Sequence, residues 1–279
     1  MKNILLAINP ERPSIPCMHF GCYLAQLTQA RLTAVFLQKH LADKAPALKT
    51  VYGIPYVETI VATDLPGYTE HEEMRAVYIE TFKKICEDKG IRHSINQDLD
   101  DPFEGFIAES RFADLLVINR NTSLEEDTGQ SPTDFVKNII AKAECPVITA
   151  PITFNNINEI VLAYDDSRSS AFAVKQFSYL FPEMDDMKIT MLHVDEGEHE
   201  NDIQREKLSN WISAHYSYPV FKTMTGKASS ELYKHLYNQK KTLVIMGSYG
   251  RNALSTLISP STADSLLENL DLPFFFAHH

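Results

Sequence analysis

Short apolar runs recur along the chain at residues 3–8, 32–37, 115–118 and 145–150, and again at 159–164, 189–194, 243–246 and 272–277. Each spans four to six residues and is nearly continuous, as expected of strands buried on both faces. Between the runs the apolar spacing turns helical. Phe172, Ala173, Val174, Phe177 and Leu180 follow Ser167, Ser169 and Ser170, which are good helix N-caps. In the front half Ser14 precedes Pro16, with apolar residues on to Leu27, and proline suits a first helical turn. Residues 206–214, 229–237 and 262–270 read as further helices, and 70–88 as a long one. Residues 46–67 hold the breakers Gly53, Pro55 and Pro66 and predict no clear element. Asp100 and Asp101 before Pro102 read as a helix-start turn.

The runs also repeat in order. Residues 3–8 match 159–164 at an offset of 156, and 32–37 match 189–194 at 157. Residues 115–118 match 243–246 at 128, as Ser131-Pro132-Thr133 matches Ser259-Pro260-Ser261. Residues 145–150 match 272–277 at 127. The fall from 157 to 128 means that the first copy carries 29 extra residues after its second strand. The predicted domains are 1–152 and 157–279, joined through the polar stretch at 153–156. Strands alternating with helices imply parallel sheets. The prediction is therefore α/β, with two doubly wound domains of about five strands each.

Composition narrows the function. The chain has 279 residues and a formal charge of −11, from 26 Lys and Arg against 37 Asp and Glu. A nucleic-acid binder needs a basic face, so that class is not expected. No apolar run approaches the 18 or so residues that span a membrane. The start reads as a strand rather than a leader, and the four cysteines read as reduced thiols in a cytoplasmic protein. Cys17 and Cys22 flank His19, but no second close pair follows, so a metal site is not expected. His193 lies within a strand and reads as a packed core histidine. No Ser/His/Asp order or spaced carboxylate pair suggests catalysis.

Ligands of open parallel sheets bind beyond the carboxyl ends of the strands. In the second copy those ends are followed by Asp165 and Asp166, by Asp195 after Val194, by Gly226, and by Gly247-Ser248-Tyr249-Gly250-Arg251. Ser261 and Thr262 then open the last helix. Glycine lets the backbone approach a ligand, and helix-opening amides donate to anions. Gly247 and Gly250, with Ser261 eleven positions on, together with Asp165 and Val194, resemble the universal stress protein family. The resemblance covers 159–279 well, and reaches 1–150 mainly through the repeat.

The resemblance implies a HUP-like tandem of two domains, pseudo-dimeric through their last strands, residues 147–150 and 274–277. It implies a stress-response regulatory protein that binds an adenine nucleotide, ATP with Mg, in its second domain. Asp165 and Val194 would border the adenine. Gly247 and Gly250 would let the backbone wrap the ribose and phosphates. Ser261 and Thr262 would serve the phosphates, with charge added by Arg251. Pro260 stands where the family pattern has its third glycine, and it lacks an N–H. Both copies carry this proline, which reads as a shared helix start. The first copy has Asn9, Asn119 and Thr122 at the key positions, with Glu125, Glu126 and Asp127 in its loop, and is expected to hold no ATP. The alternative is a tandem scaffold with decayed sites that meets a protein partner. Catalysis would at most be slow ATP hydrolysis, and pairing of whole chains into a homodimer is compatible with the pattern.

Overall fold

The computed structural model describes all residues except 38–43, 52–53, 62–67, 98, 100, 125–128, 198–201, 248–259 and 278–279. The first half runs β1 (Asn3–Ile8), α1 (Ile15–Thr28), β2 (Arg31–Phe36), β3 (Lys44–Val51), β4 (Ile54–Val61), α2 (Tyr68–Asp88) and β5 (His93–Asn96). It continues through α3 (Pro102–Ser110), β6 (Leu115–Asn119), α4 (Asp134–Lys142) and β7 (Val147–Ala150). The second half runs β8 (Glu159–Tyr164), α5 (Arg168–Leu180), β9 (Lys188–Asp195), α6 (Asp202–His215) and β10 (Tyr218–Thr225). It closes with α7 (Ala228–Leu236), β11 (Thr242–Gly247), α8 (Pro260–Asn269) and β12 (Phe274–Ala277). The apolar runs of the sequence are strands, and each predicted helix overlaps an observed one, with 229–237 and 262–270 running one residue past the ends of α7 and α8.

Ten strands form one sheet in the order β10-β9-β8-β11-β12-β7-β6-β1-β2-β5. Each half contributes five parallel strands, and the halves meet where β12 runs antiparallel to β7, with Phe275 opposite Ile148. Pairing the last strands removes two open edges. The fold is thus α/β and doubly wound in each half, as the residues predict. The extra residues of the first copy include β3 and β4, which pair as a separate two-stranded ribbon. Among the described residues no helix is long and apolar enough to cross a membrane.

Successive strand residues enter opposite layers. Ile160, Leu162 and Tyr164 of β8 join one core with Ile4, Leu6 and Phe275, while Val161 and Ala163 join another with Leu5, Ala7 and Phe276. Both cores span both halves, because the seam is a continuous sheet rather than a docked surface. Polar contacts reinforce it. Arg120 Nη1 donates to the carbonyls of Leu267 and Leu270 at the end of α8, both at 2.7 Å. Asp271 accepts from the amides of Ile152 and Thr153, which ties down the connection between the halves.

Helix starts follow the local chemistry. Ser14 Oγ accepts from the Cys17 amide and Ser167 Oγ from the Ser170 amide. Asp101 Oδ1 accepts from both Phe103 and Glu104, each at 2.8 Å. Asp101→Ala frees two helix-start amides and is expected to cost about 1 kcal/mol, read as a lower denaturation midpoint. The two repeated prolines differ in role. Pro260 opens α8, whereas Pro132 lies outside its helix, ahead of the N-cap Thr133. The shared helix start expected from the repeat therefore holds only in the second half.

Candidate functional site

The sheet order reverses between β8 and β11: from β8 the chain adds β9 and then β10 on one side, and then returns to add β11 and β12 on the other. Such a reversal opens a crevice at the carboxyl ends of the strands. Asp165 follows β8, Val194 sits near the end of β9 and Gly247 ends β11. These three predicted residues therefore finish three neighbouring strands. Thr262 lies in the first turn of α8 and is buried. Ser261 stands in the same turn. Gly250 and Arg251 lie outside the described residues.

Asp165 is 7% exposed, and its Oδ1 accepts from the Ser167 amide at 3.2 Å. This Asx turn spans Asp166, which adopts a left-handed conformation (φ 57°) rare for a residue with a side chain. Gly247 has its own reason to be glycine. A Cβ there would lie 2.6 Å from the Ser170 nitrogen and 2.9 Å from the Ser169 carbonyl carbon, both backbone atoms of α5. The end of β11 thus packs directly on the first turn of α5.

Beneath the turn lies a polar cluster that sequence reasoning did not assemble. His193 is buried, yet it is not a passive core residue. Arg205 Nη2 lies 2.8 Å from its Nε2, and the Tyr164 carbonyl lies 3.3 Å from its Nδ1. Arginine can only donate, so Nε2 accepts and Nδ1 bears the hydrogen. Asp166 Oδ2 stands 3.5 Å from Arg205 and 3.8 Å from His193. Burial pushes the Tyr164 phenol well above its ordinary pKa, with the Asp166 and Asp165 carboxylates adding to the shift. Asp166 was visible as the second of a carboxylate pair. Arg205, in a polar helical stretch, carried no local signal.

The first half differs at the equivalent place. Asn9 Nδ2 donates to the Ser123 carbonyl at 2.6 Å and its Oδ1 accepts from the Glu11 amide. Asn119 Nδ2 donates to Ser14 Oγ at 3.1 Å, while its Oδ1 accepts from Asn121. A small pocket lined by Asn9, Arg12, Ser14, Asn119 and Thr122 remains. The acidic loop expected to repel phosphate, residues 125–127, lies outside the described residues.

The cysteines are all buried and unbridged. Burial raises the Cys17 thiol to about 12, and Cys145 likewise to about 12 with help from Asp114 and Glu144. Cys22 and Cys86 place their sulfurs 3.8 Å apart across α1 and α2, and that contact pushes the Cys86 thiol up. Among the described residues no group of three or more His, Cys, Asp or Glu is placed to hold a metal ion.

No protein-family model and no curated protein matches the chain. Solved structures do. A universal stress protein from Archaeoglobus fulgidus DSM 4304 superposes with a TM-score of 0.73 at 15% identity, covering 99% of this chain and 97% of its own. A putative universal stress protein from Pseudomonas aeruginosa UCBPP-PA14 gives 0.63 at 13% identity, covering 99% and 92%. A functionally unknown protein from Pseudomonas aeruginosa PAO1 gives 0.62 at 14% identity, with the same coverage. The chain therefore shares, over nearly its whole length, the fold of universal stress proteins.

Proposed function

We propose that this is a cytoplasmic stress-response regulatory protein whose second half binds an adenine nucleotide, ATP with Mg, in the crevice at the ends of β8, β9 and β11. The observation that carries the reading is the convergence of Asp165, Val194 and Gly247 on three adjacent strand ends at the sheet reversal. The fold shared with universal stress proteins supports it. In this reading the Asp165 carboxylate accepts from the adenine or ribose, beside Val194. The backbone at Gly247 and Gly250 passes close to the ribose and phosphates. Ser261, Thr262 and Arg251 receive the phosphates, where the opening of α8 favours anions. The first half is proposed to hold no nucleotide, because the amides of Asn9 and Asn119 already pair within the protein. The function is regulatory, with no catalytic group assigned.

Two observations favour a second reading, a tandem scaffold with decayed sites. Pro260 offers no N–H at the opening of α8. The glycine at 247 is explained by its contact with Ser170, without a ligand.

Calorimetric titration of MgATP separates the readings. One site per chain is expected. Asp165→Ala removes a charge-assisted hydrogen bond and should weaken binding by about 10- to 150-fold. Asp165→Asn retains the acceptor for Ser167 and controls for loss of the turn. Absence of heat at two temperatures would favour the scaffold. Undiminished affinity in Asp165→Ala would move the site elsewhere.

A further inference from the structure

The cluster under the β8–α5 turn joins three elements at one point. Asp166 belongs to the turn, His193 to β9 and Arg205 to α6. The side chains of Asp166 and Arg205 are 18% and 17% exposed and that of His193 is 3% exposed, so the charges are largely withdrawn from water. Largely buried charges persist where they pair, and removing one partner is costly. The backbone at Asp166 is also held in a conformation that side chains disfavour, and such strain survives only where surrounding contacts impose it. Its carboxylate is paired with Arg205 of α6, and the His193 ring of β9 lies 3.8 Å from it. The Asx turn from Asp165 Oδ1 to the Ser167 amide closes over Asp166, so the Asp165 carboxylate follows the backbone that these contacts hold.

We infer that Arg205 is a positioning residue for the second-half crevice: through Asp166 it fixes the turn that places the Asp165 carboxylate at the end of β8, and so couples α6 to that crevice. The link to nucleotide binding rests on the reading above, whereas the mechanical link does not. Arg205 orders the group that meets the ligand without meeting it. His193 serves the same end, since the guanidinium that grips Asp166 is itself steadied on the imidazole. Because α6 begins at Asp202, a shift of its first turn would reach Asp165 through a single ion pair.

The test uses the full chain and four variants: Arg205→Gln, Arg205→Lys, Asp166→Gly, and Arg205→Gln combined with Asp166→Gly. The first readout is amide hydrogen exchange over residues 165–171, with the first-half strands as internal reference. Arg205→Gln should exchange at least tenfold faster there while the reference stays unchanged, and Arg205→Lys should restore most of the protection. Glycine adopts the left-handed conformation without strain. In the Asp166→Gly background, Arg205→Gln should therefore have little further effect, a coupling that a merely structural arginine would not show. Unchanged exchange in Arg205→Gln would overturn the inference, as would an equal acceleration with Asp or Gly at 166. The second readout is MgATP titration, where Arg205→Gln should weaken binding at least fivefold and Arg205→Lys less. A wild-type chain that takes up no MgATP refutes the nucleotide reading, and the exchange data still decide the role of Arg205.

Discussion

Phe275→Ala is expected to lower stability by about 3–5 kcal/mol, the usual cost of emptying a large aromatic site in a tight core. Phe275 is 0% exposed and lies on β12, beside Ile245 of β11 and opposite Ile148 of β7. Its ring packs edge-on against Phe177 at 5.2 Å and against Phe181 at 6.4 Å. The vacated space is bounded by a sheet on one side and α5 on the other, so little can collapse into it. The position is also on the seam, within a core that draws residues from both halves. Denaturant unfolding should therefore shift by the same amount whether followed by the fluorescence of Trp211, the chain's only tryptophan, or by backbone ellipticity. A shift in one probe alone would mean that the halves unfold separately. A loss below about 1 kcal/mol would mean that the ring is not enclosed as described.

What was legible in the sequence follows from how many neighbours each element has. Strands with a neighbour on each side and a helix layer on each face must be apolar throughout, so β1, β6, β8 and β11 announce themselves. Elements at the margin do not. The edge strand β5, His-Ser-Ile-Asn, is only half-buried and carries no apolar run. The β3–β4 ribbon was hidden by Pro46 and Pro55, which read as breakers. Both of its strands are edges, where a missing N–H is tolerated. The crevice residues were legible because a strand end is a position along the chain. The Asp166–His193–Arg205 cluster was not, because Arg205 meets its partners across space and each residue alone has an ordinary explanation. The repeat likewise pointed to equivalent prolines, but not to the different helix starts they produce. Five residues, 9–13, separate β1 from its capping Ser14, whereas two, 165–166, separate β8 from Ser167.

That difference in loop length gives Gly247 its sharpest test. In the first half the longer loop leaves room for a side chain at the end of β6, and Asn119 fills it, reaching Ser14 Oγ. In the second half the short turn draws α5 against β11, and a Cβ at 247 would meet the Ser170 nitrogen at 2.6 Å. The obstruction is backbone, held by the Ser167 cap and by the Ser170 hydroxyl bonded to the Ser167 carbonyl, so it cannot rotate aside. Relief requires α5 to slide off the sheet or β11 to bend, with Val244 and Met246 buried behind it. Gly247→Ala is therefore expected to cost about 3 kcal/mol, the upper end of the usual overpacking penalty, and Gly247→Val more. Asn119→Ala, at the roomier counterpart, should cost about 1 kcal/mol for its lost hydrogen bond. The check is the denaturation midpoint of each variant without nucleotide. A midpoint unchanged in Gly247→Ala would show that the glycine is not required by packing, and would leave ligand approach as its remaining reason. The predicted loss would assign this glycine to the architecture of the crevice, and the case for nucleotide would then rest on Asp165, whose replacement should alter affinity far more than stability.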